Sequence, residues 1–144
     1  MDHCMKILMI SDVYFPRVNG VSTSIRTFAQ SLRVLGHDVH LVAPHYAEQP
    51  VLSTDEASWI TRIDARKIVF DPEDYLMKWP ALMAYADSLR PGDYDVVHIH
   101  TPFIAHYAGL RIAKKLQVPV VETYHTFFED YMHHYLPWVP RSIA

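Results

Sequence analysis

The chain has 144 residues, 50% of them hydrophobic and 20% charged, with a net charge of -3. This composition is typical of one globular domain with its own core, and the slight acidic excess argues against a nucleic-acid partner. The single cysteine excludes an intrachain disulfide, and no apolar run approaches the roughly 18 residues of a membrane-spanning helix. We therefore expect a cytoplasmic protein, and peripheral contact with the inner face of the membrane stays compatible with the sequence.

The chain opens with a predicted strand, loop and helix. Residues 5–11 (MKILMIS) form a continuous apolar run, which is typical of a parallel strand buried on both faces. Residues 12–20 contain proline, asparagine and glycine, which predict a loop. In the helix that follows, apolar side chains recur with a period near 3.6 at Val21, Ile25, Phe28, Ala29, Leu32 and Leu35. Ser22 and Thr23 are placed to cap its free amides, and Gly36 is placed to end it.

The rest of the chain repeats this alternation. Further strands are predicted at residues 38–43, 95–100 and 118–123, and helices at 77–89, 104–116 and 128–136; residues 59–64 and 67–70 are weaker strand candidates, and 45–58 show no clear period. The alternation predicts an α/β fold, namely a Rossmann-like open parallel sheet with helices on both faces. Ligands of such sheets bind at the edge where the strands end. Residues 12–20, 100–103 and 124–127 should converge there.

The sequence Asn19-Gly20-Val21 stands at the start of the first predicted helix. A helix N-terminus offers unpaired amides and a partial positive charge, and glycine lets a phosphate or sugar come close to the backbone. Asn-Gly is equally typical of an ordinary turn, so both interpretations stay open from these residues alone. Because no second or third glycine follows, the segment is neither a P-loop nor a dinucleotide-binding GxGxxG motif.

His125 lies just beyond the predicted strand 118–123 and next to Thr126. An imidazole at this edge can donate a hydrogen bond to a diphosphate or a sugar hydroxyl, or act as a general acid or base. The alternative is a histidine that only caps the loop. Its place on the predicted binding edge favours the functional interpretation.

His98 and His100 lie two residues apart on a predicted strand, so their side chains share one face of the sheet. With His125 as a third ligand they could bind a metal ion, as in a metal-dependent hydrolase. The alternative is that His98 is buried and hydrogen-bonded within the sheet, and that only His100 reaches the cleft. We favour the second interpretation and predict no metal site, because the acidic residue of this strand, Asp95, lies at its opposite end.

An aromatic segment spans residues 127–138 (FFEDYMHHYLPW). Its aromatic rings would dock an apolar acceptor, touch a membrane surface, or pack as core beneath a second domain. Glu129 and Asp130 would orient acceptor hydroxyls or be stabilised as acids at a helix N-terminus. Since neighbouring residues point to different faces of a helix, the two do not form an acid–base pair.

Together these segments resemble the N-terminal domain of the retaining family 4 glycosyltransferases, which have the GT-B fold. The matching motifs, in chain order, are residues 5–12, Tyr14-Phe15-Pro16, Asn19-Gly20-Val21, Leu35-Gly36-His37, residues 95–102 and residues 118–126. They cover most of the chain. Residues 124–131 with His134-Tyr135 also resemble the subgroup that glycosylates diacylglycerol.

The resemblance implies roles for the candidate residues. In the family, the loop after the first strand approaches the donor diphosphate, which assigns that role to Asn19, Gly20 and Val21. His125 would lie beside the transferred sugar and the acceptor. The other substrate-binding candidates are Asp12 and Phe15, which would line the acceptor cleft, and His100, Thr126 and Asp130 on the same edge.

The activity that the resemblance implies is sugar transfer, with retention, from a nucleoside diphosphate sugar such as a UDP-sugar to a lipid or glycan acceptor. Helix-end amides and basic side chains would stabilise the leaving group, so neither a metal nor another cofactor is expected.

Members of the family continue into a second Rossmann-like domain, which binds most of the nucleotide and carries a Glu-x7-Glu motif that holds the donor ribose and sugar. Nothing after Trp138 supplies this motif. We therefore expect residues 1–144 to form an incomplete N-terminal, acceptor-side domain that is inactive by itself, because its cleft is open to water. The missing domain or a second copy of the chain would cover the apolar surface left exposed. A metal-dependent hydrolase and a non-catalytic ligand-binding domain remain the alternatives.

Overall fold

The computed structural model describes residues 3–47, 54–69 and 71–125. Along the chain the elements are β1 (Lys6–Ile10), α1 (Gly20–Val34), β2 (Asp38–Pro44), α2 (Thr54–Trp59), β3 (Ile60–Ile63), β4 (Ala65–Ile68), β5 (Asp71–Met77), α3 (Trp79–Ser88), β6 (Val96–Ile99), α4 (Ile104–Leu116) and β7 (Val120–Glu122). Five of these strands form one parallel sheet, and β4 and β5 form a separate antiparallel pair. The predicted α/β class and parallel sheet are confirmed.

The order of the parallel strands is β3-β2-β1-β6-β7. β1 is central, and its Ile7 pairs with Val39 of β2 on one side and with Val96 of β6 on the other. The chain builds outward from β1 through β2 and β3, then returns to the opposite flank of β1. The strand order therefore reverses between β1 and β6, and the carboxyl ends of these two strands flank the crevice where open α/β sheets bind ligands.

Each face of the sheet carries its own core. Alternate residues of β1 point to opposite faces, so Met9 packs with Ile25 and other residues of α1, whereas Leu8 packs with α3 and α4 through residues such as Leu82 and Ile112. Both faces are therefore covered by helices, as predicted. This double burial explains why β1, β2 and β6 are nearly continuous apolar runs.

The start of α1 differs from the prediction. Ser22 and Thr23 do not cap the helix, because the helix begins at Gly20 and both residues lie within its first turn. Asn19 is the N-cap instead, and its Oδ1 accepts a 2.8 Å hydrogen bond from the amide of Ser22. The Ser22 hydroxyl donates to the carbonyl of Arg17, which ties the preceding loop to the helix.

The end of α1 confirms one prediction and corrects another. Gly36 has a φ of +93°, the left-handed conformation that ends helices and that glycine adopts without strain. Leu35, however, is 70% exposed, since the helix ends at Val34 and Leu35 no longer follows its apolar face. Phe28 is 41% exposed and lies at the margin of that face.

The region between β2 and α3 contains two elements that the sequence did not predict, α2 and β5. β5 begins with Asp-Pro-Glu-Asp and lacks alternating apolar residues, and its strand conformation depends on pairing with β4. The helix predicted from residue 77 begins at Trp79, since Met77 pairs with Ala65 in the hairpin. The helix predicted at residues 128–136 lies outside the described residues.

Candidate functional site

The candidate site lies at the carboxyl edge of the sheet, where three loops begin. Hydrogen bonds between neighbouring strands continue slightly past the strands themselves, because the amide of His100 donates to Ile10 O (3.0 Å) and that of Thr123 donates to Ile99 O (2.9 Å). The loop after β1 and the turns after β6 and β7 therefore start side by side. The predicted convergence of these segments is confirmed for the residues that the structure describes.

A buried network joins the loop after β1 to the turn after β6. Asp12 is only 8% exposed, and its Oδ2 accepts a 2.6 Å hydrogen bond from the Thr101 hydroxyl while its Oδ1 accepts from the amide of Ala105 (3.1 Å). The Asp12 amide in turn donates to Thr101 Oγ1. Asp12 thereby caps α4, whose own N-cap residue supplies no side-chain bond.

Burial dominates the electrostatics of this carboxyl group. Desolvation raises the pKa of Asp12 from 3.8 to about 6, although the hydrogen bonds from Thr101 and Ala105 act in the opposite direction. Both oxygens are engaged within the protein, so the geometry supports a role for Asp12 in fixing the edge. A direct contact between Asp12 and the acceptor stays a prediction.

The N-terminus of α1 presents its backbone to solvent. The first bond within the helix runs from the amide of Thr23 to Asn19 O, which leaves the amides of Gly20 and Val21 ahead of the helical ladder. Gly20 is exposed, and a Cβ built on it would meet no atom within 4 Å. This point therefore combines an open approach to the backbone with the positive end of the helix dipole.

Two arginine side chains hold Phe15, one at its ring and the other at its backbone carbonyl. The guanidinium of Arg26, one and a half turns into α1, lies 4.4 Å from the centre of the Phe15 ring, a cation–π distance. Arg62 of β3 donates through Nη2 to the Phe15 carbonyl (2.8 Å) and through Nη1 to Pro44 O. The loop around Phe15 is thus fixed to both β2 and β3.

The turn after β7 brings three histidines together. The rings of His98 and His100 lie 3.9 Å apart, and His100 Nδ1 is 3.2 Å from Nε2 of His125. His98 Nε2 is hydrogen-bonded to Thr123 Oγ1 (2.6 Å), and Phe28 of α1 contacts both His98 and His100. The interpretation of His98 as a buried histidine bonded within the sheet is confirmed.

His100 does not itself open onto the edge. His100 is only 1% exposed, because His98 and Phe28 cover its ring. Its contact with the site is the hydrogen bond between its Nδ1 and His125 Nε2. Burial lowers the pKa of His98 to about 4 and that of His100 to about 2, and it also lowers the pKa of His125. All three imidazoles are therefore neutral near pH 7.

The described residues form neither a metal-binding cluster nor a membrane-spanning helix. Within residues 3–47, 54–69 and 71–125, no group of three or more histidine, cysteine, aspartate or glutamate side chains is arranged to hold a metal ion. In the same part of the chain, no helix combines the length and apolar character needed to cross a membrane. The predicted substrate-binding residues Thr126 and Asp130 lie outside it.

Several residues that shape the site were not identified from the sequence. Thr101 fixes Asp12, and Thr123 fixes His98. Thr101 directly follows the predicted strand 95–100 and Thr123 ends the predicted strand 118–123, and this placement at strand ends was the available signal. Arg26 and Phe28 reach the site from α1. Phe28 was predicted on the apolar face of this helix, whereas nothing in the helical periodicity distinguished Arg26 from other exposed positions.

Comparison with known proteins places these residues in a family context. Residues 18–144 match the profile of Glycosyltransferase Family 4. An alpha-monoglucosyldiacylglycerol synthase of Streptococcus pneumoniae is 31% identical over 137 residues, covering 90% of this chain and 29% of the relative. One from Acholeplasma laidlawii is 33% identical over 133 residues, covering 90% and 32%. A GDP-mannose-dependent alpha-mannosyltransferase of Mycobacterium tuberculosis is 28% identical over 141 residues, covering 96% and 37%.

The chain spans about a third of the length of these relatives. Two are named as synthases of alpha-monoglucosyldiacylglycerol, and the third is named as a mannosyltransferase that depends on GDP-mannose.

Proposed function

Because this chain belongs to Glycosyltransferase Family 4, we propose that it forms the acceptor side of an enzyme that transfers a sugar, with retention, from a nucleoside diphosphate sugar to a lipid or glycan acceptor. The acceptor we favour is a diacylglycerol lipid, since the two relatives above 30% identity are named for such products. The donor is a UDP-sugar or a GDP-sugar; the mannosyltransferase relative supports keeping GDP-mannose beside the UDP-sugar implied by the sequence resemblance.

The observation that carries this proposal is the open N-terminus of α1 beside the switch point of the sheet. The amides of Gly20 and Val21 precede the helical ladder, and the missing side chain of Gly20 leaves the backbone accessible. Backbone amides at the positive end of a helix dipole suit a diphosphate whose charge grows as the sugar departs. Asn19 holds this end in place by capping it.

The second part of the proposal concerns His125 and its contact with the sugar or the acceptor. It follows β7 on the same edge, half-buried, with one ring nitrogen bonded to His100. A neutral imidazole in this position suits contact with the transferred sugar or with an acceptor hydroxyl. Phe15, held by Arg26 and Arg62, then lines the acceptor side of the crevice.

We further propose that a second domain binds most of the donor nucleotide. Supporting this, the chain spans only about a third of its relatives' length. Closing such a domain over the carboxyl edge would exclude water from the reacting sugar. By this proposal the chain transfers no sugar by itself.

The test uses this chain joined to the remainder of the Acholeplasma laidlawii relative, with vesicles containing diacylglycerol and either UDP-glucose or GDP-mannose. Gly20→Leu fills the open space at the helix start, whereas Gln30→Leu adds the same side chain at an exposed position farther along α1. Loss of one charge-assisted amide–phosphate bond, worth about 1.5–3 kcal/mol, predicts a 10- to 100-fold loss of transfer for Gly20→Leu alone. Equal transfer by both variants would refute the donor site at Gly20.

Calorimetry tests which of the two domains binds the donor nucleotide. UDP, UDP-glucose, GDP and GDP-mannose are titrated into this chain and, in parallel, into the Acholeplasma laidlawii relative. We expect tight binding of one donor by the relative and almost none by the chain. Tight binding by the chain would place the nucleotide site within residues 1–144 and would contradict the proposed division of labour.

A further inference from the structure

In the described part of the site, one buried polar atom has no hydrogen-bond partner. Among the described residues, His100 Nε2 is the only buried side-chain nitrogen or oxygen that has no hydrogen-bond partner, and its side chain is 1% exposed. The other nitrogen of the ring, Nδ1, lies 3.2 Å from His125 Nε2, at hydrogen-bond distance. The protons of these two rings are therefore coupled.

Two neutral arrangements satisfy the bond between the rings. If His125 Nε2 donates, His100 carries its proton on Nε2, where a buried N–H group has no acceptor. If His100 Nδ1 donates, the unpartnered Nε2 is a bare lone pair. Buried N–H groups without acceptors are rarer in proteins than acceptors that lack a full set of donors. The second arrangement is therefore favoured, and it makes His125 Nε2 the acceptor.

This proton arrangement requires both rings to be neutral, and their environment keeps them so. Burial, reinforced by the neighbouring His98 and His125 rings, lowers the pKa of His100 to about 2, and burial also lowers the pKa of His125. A neutral imidazole has one N–H group, so a His125 that accepts at Nε2 must carry its proton at Nδ1. Within the described residues no hydrogen bond engages that Nδ1.

We propose that His100 is a positioning residue that holds neutral His125 with its proton on Nδ1, so that His125 presents a hydrogen-bond donor at the carboxyl edge of the sheet. The oxygen that receives it is a sugar hydroxyl or a phosphate oxygen of the donor, which rests on the function proposed above. No proton leaves His125 in this role. Its task is to orient and stabilise an oxygen rather than to act as a general base.

The chain contains two internal references for the test. The amide of Met5 donates to Nδ1 of His37 (3.0 Å), so that nitrogen is bare and the proton of a neutral His37 is on Nε2. Nδ1 of His106 faces a carboxylate oxygen of Glu122 at 2.9 Å, and because a carboxylate only accepts, that Nδ1 carries a proton. His37 and His106 thus mark the two forms in the same sample.

The experiment is ¹⁵N NMR of the histidine rings in this chain at about pH 8.5, two pH units above the ordinary imidazole pKa of about 6.5. We expect His125 to match His106, with a protonated Nδ1, and His100 to show a protonated Nδ1 coupled across the hydrogen bond to His125 Nε2. His100→Leu removes the donor and should shift His125 toward the Nε2-protonated form shown by His37. His100→Asn keeps an N–H group near the position of Nδ1 and should retain the wild-type pattern.

The wild-type spectrum decides even if a variant fails to fold. A His125 ring protonated at Nε2 in the wild type would overturn the inference, and so would a protonated Nδ1 that persists in His100→Leu. Neither result depends on sugar transfer. A confirmed tautomer in a protein without transfer activity would therefore refute only the proposed function.

Discussion

Asp12 provides the strongest test of how the site is built, because burial acts on its charge directly. Its pKa in the folded chain is about 6, whereas the unfolded value is 3.8. Below pH 3.8 the group is protonated in both states, and the stability that protonated Asp12 contributes is fully present. That contribution is lost as the pH rises through about 6, because the folded chain must then bury a carboxylate. At about 1.36 kcal/mol for each pH unit between the two values, the loss is about 3 kcal/mol.

Asp12→Asn removes this dependence while keeping an oxygen that can accept from the amide of Ala105. We expect the stability of wild type minus that of Asp12→Asn to fall by about 2.4 kcal/mol between pH 4 and pH 7, because part of the loss has already occurred at pH 4. Urea unfolding curves of both proteins, monitored by tryptophan fluorescence at each pH, measure this difference in stability. The lowered pKa values of His98 and His100 make both proteins lose stability as the pH falls below 6.5, and this contribution cancels in the difference. A difference that stays flat or rises with pH would refute the argument.

Two further predictions concern packing and capping. In Gly109→Ala the added Cβ would lie 2.6 Å from Ile99 Cγ1. Overpacking costs about 1–3 kcal/mol and the better helix propensity of alanine returns about 1 kcal/mol, so we expect a net loss of stability of about 1 kcal/mol. A variant more stable than the wild type would contradict this prediction. Asn19→Ala should cost about 1 kcal/mol by removing the bond to the Ser22 amide, and Asn19→Asp should restore it. Equal urea midpoints for the wild type and Asn19→Ala would show that this cap contributes nothing.

The parallel sheet was predictable because its strands are buried on both faces. β1, β2 and β6 are nearly continuous apolar runs, and α4 begins and ends where its apolar spacing predicts, at Ile104 and Leu116. β5 was not predictable, because a strand that opens with Asp-Pro-Glu-Asp has no apolar alternation and depends on its hairpin partner. A local sequence pattern does not predict a strand whose conformation depends only on pairing with its neighbour.

The sequence predicted the position of the site in the fold but not the contacts between its residues. The rule that parallel strands end at one edge correctly placed the segments that contain Asp12, His100 and His125 side by side. The sequence could not show that Asp12 bonds Thr101, because the two are 89 residues apart. It also could not show that Phe28 covers His100, since that contact depends on how α1 crosses the sheet.

Buried polar groups at the carboxyl edge of the sheet lower the stability of this fold. Asp12, His98 and His100 are buried polar groups whose pKa values are displaced by desolvation, and all three lie at or next to the ends of β1 and β6. Apolar side chains at these positions would extend the two cores without that cost. Displaced pKa values gathered at the switch point of an open α/β sheet indicate a functional site. The same burial keeps the imidazoles neutral, so the cost in stability and the proposed donor role of His125 have one physical cause.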